Sequence, residues 1–174
     1  GGVGLAIGSA AAATQLTNLT FLKNIQPTGL YGGALQVYNG GPYVIKGCMF
    51  QDNYANEGGA IYSRQTKGFS LSDSTFVGNT GKTDGGAIFF PRDTSGNGVI
   101  DTRDKSFTRC NFSNNEAVSK RGGAIFIDAN VLSVVNTTFV SNIVKGAAAS
   151  ALGGAIFGQG SSVLNLENVR FLSN

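Results

Sequence analysis

The chain of 174 residues contains no histidine and no tryptophan, and it has only two cysteines and three prolines. The absence of histidine excludes imidazole general bases, Ser-His-Asp and Cys-His nucleophile systems, and histidine-ligated metals. Charged residues make up only 13% of the chain, and the basic residues are scattered, with no run longer than Lys120-Arg121. We therefore expect no nucleic-acid interface.

Long hydrophobic runs are also missing. The longest apolar stretches, residues 4–13 and 146–157, are shorter than the roughly 20 residues that a membrane-spanning helix needs. We therefore predict no membrane-spanning segment. The chain opens with Gly-Gly-Val-Gly and shows no charged and apolar leader pattern, so we expect a single domain over residues 1–174 that is a segment of a longer protein.

Glycine, by contrast, is abundant, with 26 residues, and much of it belongs to an internal repeat. A Gly-Gly-Ala-Ile or Gly-Gly-Ala-Leu tetrapeptide begins at Gly32, Gly58, Gly85, Gly122 and Gly153, and a degenerate copy begins at Gly4. It alternates with Phe-x-x-Asn, which occurs at Phe21 and Asn24, Phe50 and Asn53, Phe76 and Asn79, Phe112 and Asn115, Phe139 and Asn142, and Phe171 and Asn174. Two motifs in strict alternation indicate a repeat architecture.

Between the motifs, apolar residues alternate with a period of two, as in Tyr43-x-Ile45 and Phe69-x-Leu71. This period indicates short β-strands, and no amphipathic helix is evident. Short strands with a glycine-rich turn in every unit of about 26 residues are typical of a stacked solenoid. We predict an all-β fold, a parallel β-helix of about six coils, and the usual crossover chirality favours the right-handed form.

Aligning the coils on the motif phenylalanine assigns roles to the other positions. The positions two and five residues before it are small or apolar and are expected to face inward with the phenylalanines. The six asparagines are expected to form a ladder in which each side-chain amide bonds its neighbours, and the paired glycines to allow a tight turn or a close approach of coils. Cys48 and Cys110 lie two coils apart, about 9.6 Å, which is too far for a disulfide.

Three Asn-x-Ser/Thr sequons occur, at Asn18, Asn111 and Asn136. All three fall at positions that we expect to face outward. In a eukaryotic source these asparagines could carry glycan.

Residues 93–104 follow the spacing of a calcium-binding loop. The oxygen ligands would come from the side chains of Asp93, Ser95, Asn97, Asp101 and Asp104 and from the carbonyl group of Val99. We predict a structural Ca²⁺ site, although Arg92, Arg103 and Lys105 would oppose a dication. The alternative is a polar insertion whose side chains satisfy their own backbone.

The alternating GGAI and FxxN tetrapeptides resemble the repeats of the chlamydial polymorphic outer membrane proteins, specifically their passenger domains. The resemblance covers essentially the whole chain. It implies a β-helix displayed at the cell surface by an autotransporter route, with the motif-bearing region involved in adhesion to host cells.

The leading functional prediction is a non-catalytic extracellular or cell-surface adhesin or surface scaffold. Its partner would be another protein, a surface glycan or a copy of itself, and contacts are expected at residues 39–43, 90–105 and 145–152, since loops on a rigid solenoid often carry recognition. An alternative is a subunit of an extracellular filament or cell-wall layer that assembles by end-stacking. A third class, an enzyme acting on polysaccharides, needs two carboxylates across a bond, and the acidic residues are scattered in sequence. We therefore predict that the chain is not an enzyme.

Overall fold

The computed structural model describes residues 4–10, 13–26, 29–92, 104–128, 130–147 and 151–174. All regular secondary structure within these ranges is β-strand. No helix long and apolar enough to cross a membrane occurs within them.

The chain forms short strands that we group into successive coils. Coil 1 contains β1 (Leu5–Ala10), β2 (Thr14–Thr17) and β3 (Thr20–Leu22). Coil 2 contains β4 (Leu35–Gly40), β5 (Tyr43–Lys46), β6 (Met49–Gln51) and β7 (Tyr54–Glu57). Coil 3 contains β8 (Ile61–Thr66), β9 (Phe69–Ser72), β10 (Thr75–Val77) and β11 (Thr80–Asp84).

The later coils repeat the order. Coil 4 contains β12 (Ile88–Phe90), β13 (Lys105–Thr108), β14 (Asn111–Ser113) and β15 (Glu116–Ala117). Coil 5 contains β16 (Ile125–Asp128), β17 (Val131–Val135), β18 (Thr138–Val140) and β19 (Ile143–Val144). Coil 6 contains β20 (Ile156–Gln159), β21 (Val163–Glu167) and β22 (Arg170–Leu172).

Corresponding strands of successive coils pair in parallel and form four sheets. Sheet A has the order β1-β4-β8-β12-β16-β20, sheet B has β2-β5-β9-β13-β17-β21, sheet C has β3-β6-β10-β14-β18-β22, and sheet D has β7-β11-β15-β19. The chain thus makes about five turns, since coils 2 to 5 contribute a strand to all four sheets and coils 1 and 6 contribute to three. The prediction of a parallel β-helix of about six coils is confirmed.

The motif phenylalanines stack inside the solenoid, and we call this row the inner stack. In sheet C each phenylalanine is the Cα partner of the next, as for Phe50, Phe76 and Phe112. Successive ring centroids lie 4.6–5.2 Å apart, and the ring planes are within 12° of parallel. The four central phenylalanines are fully buried, and Phe171 in coil 6 is 47% exposed.

The motif asparagines form a hydrogen-bonded row beside the inner stack. The backbone N–H of Asn53 and its side-chain amide both donate to Oδ1 of Asn79, at 3.1 and 2.9 Å. The amide of Asn79 also donates to the Phe50 carbonyl oxygen at 2.9 Å. This pattern repeats from Asn24 to Asn174. Each buried turn is therefore satisfied by the side chain of the next coil.

The two glycines of each pair serve different purposes, as Gly85 and Gly86 show. Gly85 has a φ of +63°, in the left-handed region that glycine adopts without strain. A Cβ on Gly86 would lie 1.9 Å from the carbonyl oxygen of Gly123 in the next coil. The first glycine thus makes the turn, and the second lets the coils approach.

Both cysteines are free and buried, as predicted. They occupy one inward row with Ser74 between them, and the Cys48 N–H donates to Ser74 Oγ at 3.0 Å. Burial raises the pKa of the Cys110 thiol to about 11. These thiols act as small core side chains.

Candidate recognition surface on the outside of sheet A

The calcium prediction falls mostly outside the described residues. Of its ligands, Asp93, Ser95, Asn97, Val99 and Asp101 are outside them, and Asp104 is exposed immediately before β13. The next residue, Lys105, is only 2% exposed, and its ammonium lies 5.5 Å from the Phe90 ring centroid. In the part of the chain that is described, no group of three acidic or cysteine side chains is placed to hold a metal. Calcium binding stays a prediction, which calorimetric titration of the chain and of Asp101→Ala would test.

The expected contact regions are corrected at their edges. Tyr43 ends the first predicted contact region, and Phe90 and Lys105 bound the second. All three residues are buried. They lie at inward positions of their strands, where strand alternation places them in the core. Lys145 and Leu152, which bound the third region, are exposed as expected, and the Lys145 ammonium pairs with the Glu116 carboxylate at 2.7 Å.

The three sequon asparagines are all exposed. Asn18 and Asn136 have positive φ angles at the corner between sheets B and C, and Asn111 lies on β14 in sheet C. Their outward placement agrees with the prediction, and their glycosylation stays a prediction.

The outer faces of the sheets differ strongly in chemistry. Those of sheets B and C consist largely of serine, threonine, asparagine and valine, as in Ser70-x-Ser72 on β9 and Thr75-x-Val77 on β10. On sheet A, an aromatic residue directly follows the tetrapeptide in four coils: Tyr62, Phe89, Phe126 and Phe157. Alignment on the motif phenylalanine did not reveal this row, but alignment on the glycine pair does.

These aromatic rings form a second stack, outside the solenoid, which Tyr31 extends. We call Tyr31, Tyr62, Phe89, Phe126 and Phe157 the outer stack. Its successive ring centroids lie 4.6, 5.7, 4.7 and 5.9 Å apart. Tyr62, Phe89 and Phe126 are only 4%, 7% and 2% exposed although they point away from the core. Neighbouring side chains therefore flank and cover them.

One flank is a charged row just before the glycine pairs. Glu57, Asp84 and Arg121 follow one another on successive coils. Arg121 Nε donates to Asp84 Oδ1 at 2.9 Å, and Asp84 is only 3% exposed. The Arg121 guanidinium also lies 4.8 Å from the Phe126 ring centroid, within cation–π range. These charged residues are scattered in the sequence, and the coil register brings them together.

The charged form of the Glu57 carboxyl group is disfavoured in this row. Burial raises the pKa of its carboxyl group, and the nearby Asp84 carboxylate raises it further. Lys120 and Arg121 act in the opposite direction without cancelling the rise. The Glu57 carboxylate is therefore held where its charge is disfavoured.

The other flank carries polar groups at the ends of the strands. Asp128 accepts a hydrogen bond from the Gln159 side chain at 2.8 Å and pairs with Arg92 at 3.2 Å. Closer to the N-terminus, the Tyr38 ring lies 5.6 Å from that of Tyr62, tilted by 55°. The Gln36 amide donates to the Tyr38 hydroxyl group.

The surface therefore combines aromatic rings with paired charges on one face of a repeat solenoid, and the repeats themselves match a known family model. The Chlamydia polymorphic membrane protein repeat matches residues 47–64, 73–91 and 109–128. These three segments, about a third of the chain, are similar to that repeat. Each matched segment begins between sheets B and C and runs through a glycine pair into the outer aromatic row.

Two curated relatives agree with the repeat match. A protein named "Probable autotransporter YfaL" from Escherichia coli (strain K12) is 34% identical over 87 residues, which is 50% of this chain and 7% of the relative. A protein named "Probable outer membrane protein pmp20" from Chlamydia pneumoniae is 42% identical over 77 residues, 40% of this chain and 4% of the relative. The chain thus spans a small fraction of either protein. No solved structure matches the chain significantly.

The repeats and both relatives confirm the predicted location, extracellular or at the cell surface. They also agree with the coarser functional prediction, a surface β-helix protein.

Proposed function

We propose that the chain is a non-catalytic adhesive module of a cell-surface β-helix protein, and that the outside of sheet A contacts its partner. The observation that carries this proposal is the gathering of tyrosine, arginine and carboxylate side chains on one face, while the outer faces of sheets B and C consist largely of serine, threonine, asparagine and valine, with Leu22 and Met49 exposed on sheet C. Tyrosine and arginine are enriched among the residues that dominate binding energy at interfaces.

The rigidity of this face supports a recognition function. Its side chains extend from a six-stranded parallel sheet, and stacking and ion pairing fix Phe126 and Arg121 before any partner arrives. A binding surface whose side chains are already ordered loses less conformational entropy on association.

The arrangement of the acidic residues supports a non-catalytic role. Ion pairs to basic side chains occupy Asp73, Asp84, Glu116 and Asp128. Glycoside hydrolysis needs two carboxyl groups that face one bond. Glu57 and Asp84 are close, but the Arg121 guanidinium holds the Asp84 carboxylate.

Binding of the fluorescently labelled chain to intact epithelial and bacterial cells tests the proposal. We expect saturable binding to one cell type, which an excess of unlabelled chain displaces. Sedimentation velocity over a hundredfold concentration range gives a second readout. Growth of the sedimenting species with concentration, together with no saturable cell binding, would overturn the proposal in favour of end-stacked filaments.

A further inference from the structure

The outer stack ends in a ledge next to Tyr31. One face of the Tyr31 ring packs on Tyr62, with centroids 4.6 Å apart. Among the described residues of coil 1, Ala6 and Gly8 are the Cα partners of Gln36 and Tyr38, and neither adds anything larger than a methyl group there. A Cβ on Gly8 would meet no atom within 4 Å. Ala6 and Gly8 therefore form the base of the ledge, which is open above Gly8.

The wall of this ledge offers both an aromatic ring and hydrogen-bonding groups. Tyr31 and Tyr38 are half-buried, so packing holds them while part of each ring stays accessible. The Gln36 amide and the Tyr38 hydroxyl group, which bond each other, supply donors and acceptors side by side. An aromatic ring beside such groups suits a sugar, whose C–H face is apolar and whose edge carries hydroxyl groups.

Charges of both signs lie near the ledge: the Glu57 carboxyl group belongs to the bridge partner of Tyr31, and the basic side chains lie on the Tyr38 side. Arg64 is the Cα partner of Tyr38 on the next coil. Its positive charge partly offsets the rise in pKa that burial causes at the hydroxyl groups of Tyr38 and Tyr62. Lys67 is exposed in the turn that follows, and its backbone N–H donates to the Gly40 carbonyl oxygen at 2.6 Å. A guanidinium pairs with carboxylates in a two-pronged geometry that a lysine cannot offer.

We propose that this ledge binds a carboxylated sugar residue of a surface glycan, either a uronic acid or a sialic acid. The sugar ring lies against Tyr31, its hydroxyl groups bond Gln36 and Tyr38, and its carboxylate faces Arg64. The proposal rests on the proposed function, because it names the ligand class of the same face.

Titration of the chain with matched saccharides, followed by NMR chemical-shift changes and calorimetry, tests the proposal. The probes are trigalacturonate against its fully methyl-esterified form, and 3′-sialyllactose against lactose. We expect at least one acidic probe to bind at least tenfold more tightly than its uncharged counterpart, with shifts at Tyr31 and Tyr38. The probe pair that shows the difference identifies the source of the carboxylate.

Two variants and one control variant localise the site. Gly8→Leu fills the ledge at a position with open space and is expected to abolish binding, while Thr75→Leu on the outside of sheet C leaves it unchanged. Arg64→Gln is expected to remove the tenfold preference for the acidic probe but to retain weak binding of the uncharged one. Unchanged melting temperatures for the variants confirm that the fold is intact.

The outcomes separate this proposal from the proposed function. Equal affinity for acidic and uncharged probes, no binding of either acidic probe, or binding that survives Gly8→Leu would overturn the ledge proposal. If cells still bind in that case, recognition by sheet A stands with a different ligand. If an acidic probe binds at the ledge but no cell does, the ledge stands and the adhesive function fails.

Discussion

The molecule contains two aromatic stacks of similar ring spacing, one inside the solenoid and one outside. The inner stack has phenylalanine in all six coils, and the asparagine row beside it also has one residue type. The outer stack mixes tyrosine and phenylalanine, and its flanking rows change from tyrosine to carboxylate to guanidinium between coils. Stacking alone therefore does not require identical residues.

The difference follows from what surrounds each stack. The inner stack is buried in its four central coils. The turn beside it needs a side chain that both accepts from one coil and donates to another, as the asparagine amide does, so each coil repeats the same residue. The outer stack lies on the solvent side of sheet A. A flanking side chain there can be polar, charged or absent without leaving a buried backbone group unpaired. Repetition serves the scaffold, and the residues of the outer stack and its flanks vary on the face that we propose for recognition.

The largest expected effect separates the two stacks directly. Phe76→Ala leaves a closed cavity in the core and should cost about 3–5 kcal/mol of unfolding free energy. Phe89→Ala on the outer stack should cost about 1–2 kcal/mol, because flanking side chains can collapse into the space. Denaturant unfolding measures both values, and equal losses would contradict the distinction between the stacks.

The next effect concerns the asparagine row. Asn79→Ala removes the acceptor of the Asn53 N–H and amide and the donor to the Phe50 carbonyl. Each buried orphaned group costs about 1–3 kcal/mol, so we expect a loss of about 2–4 kcal/mol. The exposed Asn111→Ala is the control and should change stability by less than about 0.5 kcal/mol. A loss below about 1 kcal/mol for Asn79→Ala would refute the structural role of the row.

A smaller effect is expected at Glu57 on the outer flank. Its pKa is higher in the folded chain than its ordinary value of 4.5, so its ionisation favours the unfolded state as the pH rises above that value. Glu57→Gln should therefore raise the melting temperature at pH 7, and the gain should vanish below pH 4.5. The exposed Glu167→Gln should show no gain, and a Glu57→Gln variant that melts lower at pH 7 would contradict this electrostatic account.

The smallest effect is chemical and leaves stability untouched. Because burial raises the pKa of Cys110 to about 11, almost no thiolate exists at pH 8, and a thiol reagent should modify it only on unfolding. A cysteine introduced on the outside by Asn111→Cys should react within minutes. Rapid labelling of native Cys110 would show that the inner rows open more easily than the packing implies.

The scaffold could be predicted from the sequence because the residues that make its contacts recur in every repeat. Phe76 and Asn79 recur in every coil, so one alignment places them all. Tyr31 could not be placed in the outer stack by such an alignment, because it precedes a glycine pair whereas Tyr62 follows one. The pairing of Asp84 with Arg121 was equally hidden, since 37 residues and a coil of different length separate them.

Lys105 shows a further limit of the pattern. Lys105 belongs to the contact region predicted over residues 90–105, yet its register with Phe69 and Leu132 places it in an inward row. Register decides burial here, against the preference of the side chain.

The claim that sheet A carries recognition is tested most directly by comparing cell binding of Tyr38→Ala with that of Val77→Ala on the outside of sheet C. Both variants shorten a partly buried outer side chain and leave the inner rows untouched. We predict that Tyr38→Ala weakens saturable binding at least tenfold while Val77→Ala binds as the unaltered chain does. Equal binding by both variants, or a loss confined to Val77→Ala, would contradict the account.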